Sequence, residues 1–178
     1  MNRPLQNRRA HFAARAIAVL CLLLGVASMP ATIHAASRTL DASASAPRPV
    51  EEAPASAIER DYLHAWKSLT TALETNRAEL LNENFTGTAR QHWLQAIDLQ
   101  QQSGLSRRII DHGHSLRVTF YSLDGSALQA EDVADLEIEY RDGTKVLSSE
   151  HIHPHYLVLL TPAENSWKIR ILEELPPS

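Results

Sequence analysis

The chain has 178 residues, 17 basic and 21 acidic side chains, nine histidines and one cysteine. Arg3, Arg8, Arg9 and Arg15 sit in a leader-like start, and without these four the remainder carries 13 basic against 21 acidic residues, a net charge of −8, which excludes the basic surface that a nucleic-acid or anionic-membrane partner needs. Cys21 is the only cysteine and lies in the same start, so the rest has no disulfide and draws its stability from a packed core.

In chain order, Ala16 to Met29 is an apolar run too short for a comfortable membrane span, and it follows a positive stretch with no acidic residue. Ile33 and Ala35 then occupy the −3 and −1 positions of a cleavage site. Residues 1–35 therefore read as a signal peptide, and the expected location is periplasmic or secreted. An uncleaved anchor holding the domain outside the cytoplasm is the alternative, with membrane contact only through this segment. Residues 36–55, rich in Ala, Ser and Pro, read as a disordered linker that cannot bury enough surface to offset its ordering entropy.

Residues 56–178 form the expected domain. Ser56 with Glu59 fits a capping box. Ile58, Tyr62, Trp66, Leu69 and Leu73 recur at helical spacing, predicting an amphipathic helix to about Asn76. Arg77 to Asn82 suggests a short second helix. Thr88 with Gln91 offers another capping box, opening a helix that presents Trp93, Ala96, Ile97 and Gln100 and stops at Gly104 in a left-handed cap.

A β-meander follows. Leu116, Val118 and Phe120 alternate up to the Asp124-Gly125 turn, and Ala134, Leu136, Ile138 and Tyr140 alternate up to Asp142-Gly143, a strong hairpin signal. His151 to Thr161 and Ser166 to Leu172 complete four strands. Pro154 marks an edge or a bulge, and the last loop sets Trp167 opposite either Leu160 or Thr161. The fold class is α+β: N-terminal helices packed on a curved antiparallel sheet of four strands or more.

Helices first, then a meander ending in Trp167-Lys168-Ile169-Arg170-Ile171, resemble the nuclear transport factor 2-like superfamily, which includes the ketosteroid isomerase and SnoaL-like proteins. Trp66 to Leu73, Ala134 to Glu139, and Tyr156 followed by the WKI of the last strand are similar to the non-enzymatic branch found in plastid and cyanobacterial division. The resemblance implies a cone-like sheet whose mouth holds a small ligand or nothing. The isomerases' catalytic aspartate and oxyanion tyrosine find no counterpart here, so no catalytic residue is carried over.

Histidine is the chemistry on offer. His112/His114 and His151/His153/His155 are alternating clusters, and residues two apart on a strand share a face. A two-residue turn at Asp142-Gly143 would set Leu136 opposite Ser149, Ala134 opposite His151 and Asp132 opposite His153. The histidines would then share the concave face of Leu136, Ile138 and Tyr140, with His112 and His114 on that face by parity with Leu116.

One reading makes them half-buried rim histidines. Another makes a pocket in which Asp132 orients His153 as acid or base, with His114, Tyr140, His151 and His153 binding ligand. The H-x-H spacing also suits two ligands on one ion. An intervening strand separates the two clusters by roughly 9–10 Å, however, so no metal or cofactor is assigned. The expected function is an exported, non-catalytic module binding a small-molecule ligand or an envelope protein, with a homodimer left open. The alternative is an isomerase- or hydrolase-like enzyme built around Asp132, His151 and His153.

Overall fold

The computed structural model describes residues 39–176, so the signal-peptide expectation over 1–35 lies outside the described residues. The sheet has seven strands: Leu40–Asp41 (β1), Ala46–Pro47 (β2), Ser106–Tyr121 (β3), Leu128–Asp142 (β4), Lys145–Ile152 (β5), His155–Pro162 (β6) and Trp167–Glu174 (β7). Helices Glu52–Thr75 (α1) and Gly87–Ser103 (α2), with a 3₁₀ turn at Ala78–Leu81 between them, pack on one face. Among the described residues no helix is long and apolar enough to cross a membrane.

The linker expectation needs correction from Thr39 onward. β1 and β2 pair in parallel with β3, so the sheet is mixed and not purely antiparallel. Leu116 N–H donates to Thr39 O at 2.8 Å, Leu40 is buried, and the Arg48 guanidinium lies 4.8 Å from the Tyr121 ring centre. A sheet edge recruits backbone groups, and backbone pairing is indifferent to an Ala/Ser/Pro composition.

The apolar stripe of α1 is as its spacing predicts: Ile58, Tyr62, Trp66, Leu69 and Leu73 are all buried. Its start is not. The helix begins at Glu52, ahead of Ser56, and the Glu59 carboxylate accepts from Thr39 N–H at 2.6 Å instead of closing a capping box. α2 likewise starts at Gly87 behind Thr86, ahead of the Thr88–Gln91 pair. It ends where expected, with Gly104 at φ 71°.

β5 and β6 are two parts of the third meander strand, interrupted at His153-Pro154. Both pair with β4, and only β6 goes on to pair with β7. Trp167 sits opposite Pro162, one position beyond Thr161 and two beyond Leu160, the expected partners. Leu116, Val118, Ala130, Leu136, Val158 and Ile169 point from the sheet into the core beneath the helices.

Four irregularities decide which side chains point inward. One, at Arg170 between β6 and β7, leaves Ile169 and Leu172 buried and turns Ile171, expected to share the face of Ile169, away from it. The β3–β4 register shifts at His112, between Asp111 and Gly113, and again at Thr119, between Val118 and Phe120. The β4–β5 register shifts at Leu147. Each inserts one unpaired residue, and one extra residue reverses the faces beyond it. Phe120, expected inward, is therefore exposed, while Tyr121 is buried.

Candidate functional site

The corrections to the histidine reading follow from these bulges. The β4–β5 turn is Gly143-Thr144, with Asp142 opposite Lys145. Moving the turn by one residue preserves the facing pattern, but the bulge at Leu147 reverses it, so Glu137 pairs with His151 and Leu136 with Ile152. His151 and His153 thus stand on the outer face, with 55% and 63% of their side chains exposed, each contacting Asp135. Asp132 faces inward opposite Tyr156 and Leu116 and does not meet His153. The bulge at His112 also splits its cluster. His112 turns outward to within 5.4 Å of the His151 ring, centre to centre, while His114 remains inside.

What Asp132 meets is His114. His114 Nδ1 lies 2.7 Å from Asp132 Oδ2, and Tyr62 OH donates to the same oxygen at 2.7 Å. His114 Nε2 lies 3.2 Å from Asp111 Oδ2. Three elements build this chain: α1 supplies Tyr62, β3 supplies Asp111 and His114, and β4 supplies Asp132. Burial pushes the imidazolium down, but the bonds to Asp111 and Asp132 outweigh it and raise His114 from 6.5 to about 9. Burial pushes the Asp111 carboxyl up, and His114 and the Gly113 N–H outweigh that, leaving it below its ordinary value. Burial and then the Asp132 charge push the Tyr62 hydroxyl well above 10.0, so it stays a donor. The arrangement holds a charged imidazole between carboxylates, with the Trp66 ring centre 4.6 Å away.

A separate cavity of about 910 Å³ opens between α2 and the sheet. Trp66, Trp93, Ile109, Leu136, Ile138, Tyr140 and Tyr156 wall it, and Glu150, Glu173 and Glu174 line its exposed side. Arg107 reaches in with its guanidinium 5.6 Å from the Tyr140 ring centre. Its Nε is buried without a hydrogen-bond partner, and among the described residues Arg107 makes no ion pair. His114, Asp132 and Tyr62 do not line this cavity; Trp66 does, and it also contacts His114.

Of the residues expected to bind ligand, only Tyr140 lines the cavity. His114 is buried behind Trp66, and His151 and His153 are outside. Arg107, Trp93, Tyr156 and Asp111 were not anticipated. Gly113 could have flagged the bulge, since glycine inside a strand pattern often marks one; its φ is 148°. The Tyr62–Asp132 bond joins residues 70 apart in sequence and leaves no local trace.

No family model matches the sequence, and no curated protein matches it significantly. Among solved structures, the chain is similar to the intermembrane space region of the chloroplast protein ARC6, with a TM-score of 0.61 and 19% identity over 72% of this chain and 100% of that one. A Streptomyces avermitilis protein described as a dehydratase of the NTF2-like family gives a TM-score of 0.47 at 11% identity, covering 68% of this chain and 97% of that one. A Novosphingobium aromaticivorans protein described as a scytalone dehydratase gives 0.46 at 15%, covering 68% and 83%. At such identities the likeness concerns fold alone, and the last two scores are too low to carry weight. The two helices laid over a meander that closes on Trp167–Glu174 are thus a fold shared with the ARC6 intermembrane space region.

Proposed function

We propose that this chain is an exported, non-catalytic binding module of the cell envelope. Its cavity takes an apolar ligand bearing one acidic or carbonyl head group, with Arg107 as the anchor. The observation that carries this reading is the division of labour around Trp66. On one side lies an aromatic-walled cavity of about 910 Å³, within the range of small-molecule sites, with one unpaired guanidinium. On the other, the acid–base pair His114–Asp132 is buried and held by its own partners. An isomerase- or hydrolase-like reaction needs a proton-transfer group within hydrogen-bond reach of its substrate. The buried pair does not line the cavity, and Asp132 stands on the opposite face of the sheet from His151 and His153. The acid–base groups that do line it, His92, Glu150, Glu173 and Glu174, are solvent-exposed. Glu150, Glu173 and Glu174 at the exposed side disfavour polyanions. The leader-like start supports export.

The test is a fluorescence titration of the full chain, kept in non-ionic detergent, with anilinonaphthalene sulfonate as an anionic apolar probe, together with native mass spectrometry for a co-purified ligand. Saturable one-to-one binding should weaken about tenfold or more in Arg107→Gln, because a hydrogen bond to a charged group contributes about 1.5–3 kcal/mol. No saturable binding, or binding insensitive to Arg107→Gln, would overturn the reading.

A further inference from the structure

The outer face of the sheet carries a second cluster that the cavity does not use. Asp135 on β4 stands beside His151 on β5 and His153 in the break that follows it, and one ligand atom from each of the three lies within 4.8 Å of the others. His151 Nε2 and Asp135 Oδ1 are in direct contact, and His153 Nδ1 is 3.6 Å from the same oxygen. The His151 and His153 ring centres are 5.0 Å apart, and the His112 ring, from β3, is 5.4 Å from His151. Three candidate ligands therefore converge, with the His112 imidazole beside them and 3.9 Å from Glu137.

We propose that Asp135, His151 and His153, with His112 as a fourth ligand, form a binding site for a divalent transition-metal ion of the Zn²⁺ type.

Geometry decides between this and a fortuitous surface cluster. Two imidazoles on one tetrahedral ion, each with a metal–nitrogen bond of about 2.0–2.1 Å, place their ring centres roughly 5 Å apart. The observed separations of 5.0 and 5.4 Å match that spacing. The two-strand gap that argued against joining the clusters is closed by the bulge at His112, which sends its side chain outward over β4. A second, independent bulge at Leu147 brings His151 and His153 to the same face. With only one of the two irregularities the imidazoles would be divided between the two faces of the sheet.

The donor set of imidazole nitrogen and one carboxylate oxygen suits zinc, and also copper or nickel; magnesium and calcium prefer all-oxygen shells. The partial exposure of the four side chains gives an ion direct entry from solvent. β5 pairs only with β4, so a bound ion would fasten this one-sided strand to β3 and β4. The site lies on the opposite face from the cavity, so its fate is independent of the function proposed above.

The experiment is isothermal titration of the metal-stripped full chain, in non-ionic detergent, with Zn²⁺ alone, followed by Co²⁺ substitution and its visible spectrum. One equivalent should bind with a rise in thermal midpoint, and Co²⁺ should show the ligand-field bands of a four- or five-coordinate nitrogen/oxygen site. The double variant His151→Gln/His153→Gln should lose uptake, as should Asp135→Asn with His153→Gln. His112→Gln should weaken binding roughly tenfold. His64→Gln, whose imidazole contacts Asn84 elsewhere, should bind as wild type. Circular dichroism checks that each variant is folded, which their surface positions favour. No uptake by the wild type, uptake surviving in both double variants, or an octahedral aquo-type Co²⁺ spectrum would each overturn the proposal.

Discussion

His114 Nδ1 and Asp132 Oδ2 meet at 2.7 Å with neither side chain exposed to solvent. Charged groups so placed are costly unless paired, and Asp132 Oδ1 remains buried without a hydrogen-bond partner. Here Asp111 faces the imidazole from β3, Asp132 from β4, and Tyr62 and Trp66 from α1, with Tyr156 of β6 behind Trp66.

This enclosure sets a pH dependence. His114 is raised in the folded chain from 6.5 to about 9, so the folded state binds its proton more tightly than the unfolded state does. The resulting stability is fully present below about pH 6.5 and is lost as pH rises through about 9. Asp111, shifted the other way, contributes stability above its ordinary value of 3.8 and loses it as pH falls below that. Thermal midpoints should therefore hold level just below neutrality and decline from pH 7 to beyond 9. An imidazole resonance of His114 titrating near 6.5 in the folded protein would sink this account.

Trp66 separates the cavity from the buried pair, touching His114, Tyr62 and Tyr156 with ring centres at 4.6, 6.5 and 5.7 Å. It is 1% exposed. Trp66→Ala should cost about 3–5 kcal/mol in urea denaturation, the usual loss for deleting a large buried aromatic. A variant unfolding at the wild-type midpoint would mean that the indole bears no packing load.

Periodic features were legible in the sequence and aperiodic ones were not. The stripe from Ile58 to Leu73 and the cap at Gly104 could be read because each is set by its own few residues. The alternating runs mark the meander strands, but not which face each side chain takes beyond a bulge. At His112 the neighbouring glycine was a usable signal. At Leu147 nothing in Lys145 to Ser149 distinguishes a bulge from a regular strand, and a single unpaired residue moved His151 and His153 from inside to outside. Pairing of Thr39 and Leu40 with the β3 edge was invisible to composition because backbone atoms make it. Parity places His114 inward, as it is, but a two-residue Asp142-Gly143 turn pairs Asp132 with His153 and so hides its contact with His114.

The bulge yields the last prediction. Deleting a residue from the middle of a strand ordinarily turns every later side chain to the wrong face and disrupts the fold. Leu147 should be an exception. It is the unpaired residue between Val146, opposite Arg141, and Ser148, opposite Tyr140, and it is half-exposed. Without it, Val146 and Ser148 become consecutive and pair with the same partners, while Tyr140 and Ile138 still face the cavity and His151 still stands opposite Glu137. The deletion should change stability by no more than about 1 kcal/mol, as for a surface change that loses no core contact. It should also leave zinc uptake by the outer histidines in place. Deletion of Ile152, by contrast, removes an inward residue paired with Leu136 beyond the bulge and should be clearly destabilising. Equal damage from the two deletions, measured by thermal unfolding, would show that the extra residue is not absorbed at Leu147.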